Sequence, residues 1–480
     1  MKMSTYAILN RRLATATAVI FFLTFAAIIQ TLDVATASAW QNPDQPTIGS
    51  GIPQAGSNAP QSALSNLKPG SLLFFPSYAS SSSNPSQVNT IITLTNVNPR
   101  DGITVRLAWI HDCVVDNTFV TLAPNQSQTL LASLENPGQS GYVMALAINP
   151  NGLPTQFNWL IGSASLRNEQ GYTATYNAVG VAKRTGGAIV SASNGAVPLV
   201  FNDVQYDRLP EQVALDHLQN QDPVKSVMPG DTVKTAVTLI SPLSSLTGGV
   251  AEPIKLTSIL YDKSGRPYPQ VTNGSCSINR TASELWSDPA LSGIISPERP
   301  GWARFAAETG TRALPLLGLS LSTDALPGTA NVRHMQVMRR LDTFTIAVPV
   351  IKPEGAAPEV PTGSQVAADG KSLGAGEMKP GSILIYPRFT SGDQGASRLF
   401  LTNTHPTAKA RIRIFFNGTV GTGGVAETII SLFPNETTSL DPQEFLPNQR
   451  GWVMAMAIDL RALPLSFNNL IGSSMVTEQT

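Results

Sequence analysis

Residues 141–163 read GYVMALAINPNGLPTQFNWLIGS, and residues 451–473 read GWVMAMAIDLRALPLSFNNLIGS. The two stretches align without a gap and are identical at 14 of 23 positions. Each alternates apolar residues with turn residues, as short β-strands joined by tight turns do. Similarity at a long, fixed spacing indicates tandem copies of one structural unit.

Two shorter motifs precede each copy at nearly the same distance. A K-P-G-S motif followed by apolar residues and Pro begins at Lys68 and at Lys379, and an L-T-N-x-x-P motif begins at Leu94 and at Leu401. The offsets between copies differ by only a few residues, and the length changes fall in stretches with loop composition. The repeat therefore covers a whole domain rather than one hairpin.

A third, more divergent copy lies between these two. Gly301 and Trp302 are followed by RALPL at 312–316, just as Gly451 and Trp452 are followed by RALPL at 461–465, with a slip of one residue. The sequence therefore predicts three related units.

The local pattern of the first unit indicates an all-β fold. Turn sequences rich in Asn, Pro and Gly separate seven short apolar runs within about 100 residues, which is typical of an antiparallel immunoglobulin-like β-sandwich. The predicted strands are 71–75, 89–96, 103–110, 118–122, 127–132, 141–148 and 157–162. We expect the larger side chains of the strand after Gly141 (Tyr142, Met144, Leu146, Ile148) to fill the core, and its smaller ones (Val143, Ala145, Ala147) to pack beneath a loop or a neighbouring domain.

Composition excludes several classes of protein. Only 13% of the 480 residues are charged, the formal net charge is zero, and 74 residues are Gly or Pro (38 and 36). So many Gly and Pro residues disfavour a helix bundle, and a neutral chain offers no cationic surface for nucleic acid.

The N-terminus predicts export. Lys2, Arg11 and Arg12 precede an apolar run, and Ala37-Ser38-Ala39 matches a small-x-small cleavage site. Cleavage would leave a periplasmic, cell-surface or extracellular protein, whereas an uncleaved signal would act as a membrane anchor.

Composition and repeats together predict the domain boundaries. Stretches rich in Pro, Gly, Ser and Asn mark the flexible segments. The predicted segments are a signal peptide (1–39), a lead-in (40–66), unit 1 with an extension (67–200), unit 2 (201–352), a linker (353–377) and unit 3 (378–480). Unit 3 lacks the extension after residue 163 of unit 1, which predicts an unpaired sheet edge.

Two cysteines, Cys113 and Cys276, occupy nearly the same loop in different units. An interdomain disulfide requires their Cα atoms to lie within about 7 Å, and two unpaired thiols are the alternative. The sequence His111-Asp112-Cys113 also leaves open a nucleophilic dyad of His111 and Cys113. Unit 3 has neither a His nor a Cys at the corresponding place.

Catalytic and cofactor motifs are missing from the sequence. The four histidines have no metal-type spacing, and nucleotide-binding glycine motifs and a nucleophile elbow do not occur. The sequence therefore predicts a non-catalytic protein without a cofactor. Carbohydrate binding or polysaccharide hydrolysis is the alternative, with Trp109, Trp159 and Trp286 as candidate stacking aromatics. The equivalent aromatics Tyr142, Trp302 and Trp452 favour core positions instead.

The K-P-G-S opening, the L-T-N-x-x-P turn and the G-[YW]-V-M-A ending resemble those of exported bacterial proteins of uncharacterised function built from tandem β-sandwich repeats. Residues 201–210 and 331–349 resemble the connecting parts of such proteins. The resemblance covers most of the chain that follows the signal peptide. It implies sandwiches outside the cytoplasm and transfers no activity or site residue.

Together these observations predict a secreted surface, matrix or adhesion protein that acts by binding. Its partners are unknown; self-association through the sheet edge of unit 3 and a surface polymer are the candidates. Neither nucleic acid nor a membrane, beyond an uncleaved signal, is expected as a partner.

Overall fold

The computed structural model describes residues 65–168, 172–184, 195–218, 234–247, 253–286, 301–323, 330–353, 380–392, 395–419, 424–460, 462–465 and 467–478. The predicted signal peptide, nearly all of the lead-in and all but the first residue of the linker lie outside these ranges. Within them, no helix is long and apolar enough to cross a membrane.

The described chain is built from β-strands, and the same strand order occurs three times. Unit 1 contains β1 (Leu72–Ala79), β2 (Asn89–Asn96), β3 (Ile103–His111), β4 (Val114–Leu122), β5 (Ser127–Leu131), a helical turn (Ala132–Glu135), β6 (Ser140–Ile148), β7 (Leu160–Arg167), β8 (Thr173–Asn177) and β9 (Val179–Val181). The seven strands predicted for this unit are all present.

Unit 2 repeats this order, although its sequence has diverged. It contains β11 (Pro210–Leu218), β12 (Lys234–Ile240), β13 (Ile254–Tyr261), β14 (Pro267–Gly274), β15 (Ser277–Thr281), a helical turn (Ala282–Leu285), β16 (Gly301–Thr309), β17 (Arg312–Leu314), β18 (Leu317–Thr323), β19 (Ala330–His334) and β20 (Gln336–Arg340). A ribbon of two strands flanks it, β10 (Ala196–Phe201) and β21 (Phe344–Pro349), so β10 crosses the boundary predicted after residue 200.

Unit 3 contains β22 (Ile383–Thr390), β23 (Gly395–Asn403), β24 (Ala410–Gly418), β25 (Val425–Leu432), β26 (Thr437–Leu440), a 3₁₀ turn (Pro442–Glu444), β27 (Arg450–Ala457) and β28 (Leu470–Glu478).

Each unit is a sandwich of two antiparallel sheets, which confirms the predicted fold class. The front sheet carries the strand that begins with the repeated glycine, in the orders β4-β3-β6-β1-β9, β14-β13-β16-β11-β20 and β25-β24-β27-β22. The back sheet has the orders β5-β2-β7-β8, β15-β12-β18-β19 and β26-β23-β28. In units 1 and 2 a final pair of strands extends both sheets; in the described part of unit 3, β22 and β28 have no outer neighbour.

The repeated glycine has a steric reason. A β-bulge interrupts the first strand of every unit opposite this position, with the pairs Tyr78–Gly141, Leu218–Gly301 and Phe389–Gly451. A Cβ atom on Gly141 would collide with the carbonyl oxygen of Ile110, and one on Gly451 with that of Asn417. Pro76 and Pro387 lie within the bulge, where the ladder needs no N–H group.

The asparagine of the L-T-N motif stabilises a turn. Asn96 donates from Nδ2 to the carbonyl oxygens of Asp101 and Ala123, and its Oδ1 accepts the backbone N–H of Asn98 at 2.9 Å. Asn403 makes the same kind of contacts in unit 3, to Ala408 and His405. The motif is therefore a buried hydrogen-bonded corner of the sandwich.

The prediction for the strand after Gly141 is wrong about which face fills the sandwich. The small side chains Val143, Ala145 and Ala147 lie in the core of unit 1, beside large residues from other strands such as Phe75 and Trp109. The large side chains lie on the outer face of the front sheet, in an apolar cluster continuous with the core of unit 2: Tyr142, Met144, Leu146 and Ile148. The bulky face thus covers a junction between units.

Candidate functional site

In the described chain, several buried polar and charged side chains and the disulfide lie at the junctions between units. The first junction places the outer face of the unit 1 front sheet against unit 2, with β1 beside β12 and β18 of the unit 2 back sheet. Ribbon residues Leu199, Ile346 and Val348 belong to the same buried cluster. Apolar burial of this kind is the dominant favourable term in association between domains.

Two buried polar side chains bridge the first junction. Arg106 donates from Nε to Asn117 Oδ1 at 2.8 Å within its own sheet, and from Nη1 to the carbonyl oxygen of Pro349 at 2.6 Å. Burial lowers the pKa of Arg106 to about 10. The hydroxyl of Tyr142 accepts the backbone N–H of Leu243 at 3.1 Å, and burial raises the pKa of this phenol.

A disulfide joins Cys113 to Cys276 across the same junction, with 5.6 Å between the Cα atoms. Asp112 and Cys113 have φ values of 48° and 64°, which form a two-residue hairpin turn between β3 and β4. The turn brings Cys113 to the loop between β14 and β15. The alternative dyad does not form, because the sulfur is bonded to Cys276 and His111 Nε2 contacts Asp116 Oδ2 at 2.9 Å.

Charged side chains form a network where the chain enters unit 2. Asp207 is fully buried, and its carboxylate accepts hydrogen bonds from Lys68 Nζ at 2.6 Å, Arg184 Nε at 2.9 Å and the backbone N–H of Ala182 at 2.7 Å. Burial lowers the pKa of Lys68, and Asp207 opposes this effect. Lys68 of the K-P-G-S motif thus binds Asp207, in the segment that connects the extension of unit 1 to unit 2.

A second carboxylate continues this network. Asp203, at φ 63°, lies near Arg184, Arg208 and Arg340, with nitrogen–oxygen distances of 3.6, 3.4 and 3.3 Å. Three guanidinium groups around one buried carboxylate compensate the cost of removing it from water. The network connects the end of unit 1 with β20 of unit 2.

A buried histidine lies where the two back sheets meet. His334 at the end of β19 has Nε2 2.6 Å from the carbonyl oxygen of Asn177 at the end of β8, and its ring packs edge-on against Tyr176. Burial lowers the pKa of His334 to about 4. The neutral imidazole therefore donates this hydrogen bond at neutral pH.

The second junction joins the outer face of the unit 2 front sheet to unit 3. Trp302 is buried, stacks on Tyr261 with 4.4 Å between ring centroids, and donates from Nε1 to the carbonyl oxygen of Asn435 at 3.0 Å. Ile471 of β28 packs into the same cluster with Ala214 of β11. Both junctions thus place the back sheet of one unit on the front sheet of the preceding unit.

The candidate stacking aromatics differ in exposure. Trp109 is in the core of unit 1, where it donates to Thr118 Oγ1 at 3.0 Å, and Trp286 is buried against Phe305. Neither can stack on a sugar, because no face of either ring reaches the surface. Trp159 is half-buried beside the core of unit 1. The structure does not bring the three together.

The sequence predicts that all three aromatic residues after the repeated glycine lie in the core, and the structure differs from this prediction. Tyr142 and Trp302 are buried, but at the junctions, whereas Trp452 is 37% exposed on the front sheet of unit 3. Its exposure corrects the core assignment for unit 3. Each position is covered only where a following unit packs on it.

The described residues contain no group of three or more His, Cys, Asp or Glu side chains placed to hold a metal ion. The apolar and hydrogen-bonded contacts at the junctions hold the surface of one unit against the surface of the next.

No family model and no curated protein matches the chain. Among solved structures, the chain is similar to a tetra-tandem repeat in the extending region of a large adhesion protein, at 13% identity and a TM-score of 0.14, covering 84% of this chain and 99% of that one. It is also similar to an alpha-L-rhamnosidase of Streptomyces avermitilis complexed with L-rhamnose, at 10% identity and a TM-score of 0.13, covering 87% of this chain and 46% of that one.

Sequence reasoning did not single out Asp207, Asp203 or His334. One signal was available, since two aspartates and an arginine within the short segment 201–210 are dense for a chain with so few charges. His334 gave no such signal, because nothing local distinguishes a buried junction histidine from one on the surface.

Proposed function

We propose that the chain is an exported, non-catalytic surface or matrix protein whose sandwich units serve adhesion by binding. The observation that carries the proposal is the construction of the two junctions. Both bury large apolar side chains, and both add directional hydrogen bonds, from Arg106 to Pro349 and from Trp302 to Asn435. Units connected in this way keep a defined arrangement, which suits a scaffold that presents surfaces to a partner.

Further support comes from the disulfide between Cys113 and Cys276 and from the low charge of the chain. Disulfides persist mainly in oxidising compartments outside the cytoplasm. A neutral surface resists association weakly, which favours a protein that adheres.

The first experiment tests export. The full chain is expressed with a C-terminal epitope in a bacterium, and the cell fractions and culture medium are probed. We expect the epitope outside the cytoplasm, on a chain whose mass corresponds to cleavage after Ala39. A full-length chain confined to the cytoplasm would contradict export.

The second experiment tests binding against catalysis. The purified chain is incubated with a panel of insoluble polysaccharides and with immobilised bacterial cell surfaces, and both sedimented protein and released sugar are measured. We expect retention of the protein on at least one surface without release of sugar. Steady release of reducing sugar, above that of a heat-denatured sample, would show a hydrolase and overturn the non-catalytic proposal.

Carbohydrate binding is the second candidate, favoured by the partial exposure of Trp159. A glycan array probed with the wild-type chain and with Trp159→Ala tests it. Binding that is lost in the variant supports a stacking role. Equal binding by both chains would exclude a stacking role for Trp159. Trp109→Phe is the control, because it changes a tryptophan ring that is buried.

A further inference from the structure

The outer face of the unit 3 front sheet is apolar along β22 and β27, at positions that are covered in the other two units. Ile383 and Ile385 on β22 are 50% and 67% exposed and pair with Met456 and Met454 on β27, which share a face with Trp452. The residues at these positions in unit 1, Leu72 and Phe74, are fully buried against unit 2. Exposed large apolar side chains grouped on two neighbouring strands mark an interaction surface.

The surface that covers this position elsewhere in the chain is known from the second junction. There, Ile471 on β28 packs into the cluster of Trp302, and the carbonyl oxygen of Asn435 accepts the hydrogen bond of the Trp302 ring. Phe400 and Thr402, on the outer face of the unit 3 back sheet, are fully buried.

Unit 1 carries the same two features on its own back sheet, where both residues are exposed. Ile161 on β7 is the equivalent of Ile471 and is 39% exposed. Asn125 is the equivalent of Asn435 and is exposed, in a turn with the same left-handed backbone, φ 56° against 57°. The two complementary halves of one interface therefore lie uncovered on units 1 and 3 of the same chain.

We propose that copies of this chain associate head to tail, with the front sheet of unit 3 in one copy packed on the back sheet of unit 1 in the next. The new contact repeats the junction between units 2 and 3. Trp452 takes the place of Trp302 and donates from Nε1 to the carbonyl oxygen of Asn125, and Ile161 takes the place of Ile471.

Side-chain volume supports this pairing. At the second junction β23, which bears Phe400, lies against β11, which bears Ala214. In the proposed contact, Thr93 on unit 1 takes the place of Phe400 and Ile385 on unit 3 takes the place of Ala214. The larger side chain of the pair therefore lies on the front sheet, whereas at the second junction it lies on the back sheet. Exchanges that conserve total volume are the ones that packed interfaces tolerate best.

The arrangement of the contact determines how many copies of the chain can associate. The contact joins two different surfaces, so each copy retains one free surface of each kind after pairing. Assembly of this type continues into chains of copies unless the ends meet in a ring. The proposal is independent of export and of adhesion, because it rests only on the packing of the units.

The test uses the purified chain, with Trp452→Glu and Ile161→Glu as interface variants and Val271→Glu as the control. Val271 is 56% exposed on β14, away from both surfaces. Sedimentation velocity over a concentration series is expected to show oligomers of increasing size for the wild-type chain and the control. A charge in the centre of the contact is expected to weaken it about 100-fold, leaving each interface variant monomeric.

Mixing the two interface variants distinguishes this arrangement from a symmetric dimer. Trp452→Glu keeps an intact unit 1 surface and Ile161→Glu keeps an intact unit 3 surface, so the mixture is expected to form a one-to-one complex and nothing larger. A wild-type chain that stays monomeric at all concentrations would overturn the proposal, as would variants that assemble like the wild type or a mixture that remains monomeric. Circular dichroism melting curves that match the wild type show that each variant folds.

Discussion

The ammonium group of Lys68 lies 2.6 Å from a carboxylate oxygen of Asp207, although 139 residues separate the two in sequence. Lys68 opens the repeated motif of unit 1, and Asp207 ends the segment that leads into unit 2. Because Asp207 is fully buried and also binds Arg184, this pair ties the start of one unit to the start of the next. The charged network and the apolar junction therefore stabilise the same arrangement.

Replacement of Asp207 by Asn should destabilise the chain strongly. The amide keeps the shape but removes the negative charge, so the largely buried Lys68 loses the carboxylate that it contacts and Arg184 loses one of its two carboxylate partners. We expect a loss of about 3–5 kcal/mol in the free energy of unfolding, measured by urea denaturation. Asp342→Asn is the matched control, since this carboxylate is 98% exposed and contacts Arg208 at 3.6 Å. The control should change stability by less than about 0.5 kcal/mol; equal effects of both variants would argue against the network.

The disulfide should contribute to stability through the first junction. It closes a loop of 163 residues, and removal of a disulfide typically costs about 2–4 kcal/mol. Cys113→Ala with Cys276→Ala is therefore expected to lower the midpoint of thermal unfolding, and reduction of the wild-type chain should lower it similarly. Mass spectrometry of the intact, non-reduced chain should find no free thiol at either cysteine. Two alkylated thiols would show that the bridge is not made.

The fold class could be predicted from sequence because the strand signals are local. Tight turns rich in Asn, Pro and Gly bound most strands of unit 1, and the repeat predicts the same strands for unit 3. The burial of the strand after Gly141 could not be predicted in the same way. Alternation shows that Tyr142 and Val143 face opposite sides, but both sides are buried here, one by the partner sheet and one by unit 2.

The candidate site was harder to predict than the fold, because it consists of contacts between units. Cys113 and Cys276 could be compared through their equivalent positions in the repeat, which left pairing as one of two readings. The contact of Trp302 with Asn435 depends on how units 2 and 3 pack, and no local pattern encodes that packing. The exposed ring of Trp452 was missed for the same reason.

Trp302 should contribute much more to stability than its equivalent in unit 3. Trp302→Ala removes a fully buried ring, its stacking on Tyr261 and its hydrogen bond, so we expect a loss of about 3–5 kcal/mol. Trp452→Ala removes a ring that is 37% exposed, and a loss of about 1 kcal/mol is expected. Urea denaturation in dilute solution, where association does not contribute, measures both. Similar losses in the two variants would contradict the assignment of Trp302 to a junction.

Acid should weaken the contact between the back sheets of units 1 and 2 through His334. Burial lowers the pKa of this histidine to about 4, below its ordinary value of 6.5. Between these two pH values the unfolded chain binds a proton that the folded chain excludes, so stability is complete above about pH 6.5 and declines as the pH falls toward 4. The full difference corresponds to about 3 kcal/mol.

The free energy of unfolding, measured between pH 7 and about pH 5, tests this dependence while most carboxylates remain ionised. His334→Gln, which has no group that titrates in this range, should be less stable than the wild type at pH 7 but show a flatter decline toward pH 5. Tyr176→Phe is the control, because it changes the ring that packs against His334 but keeps the imidazole, and it should keep the slope of the wild type. An unchanged slope in His334→Gln would show that another group causes the acid sensitivity. A flatter slope in that variant alone would assign the acid sensitivity to the buried imidazole that donates to Asn177.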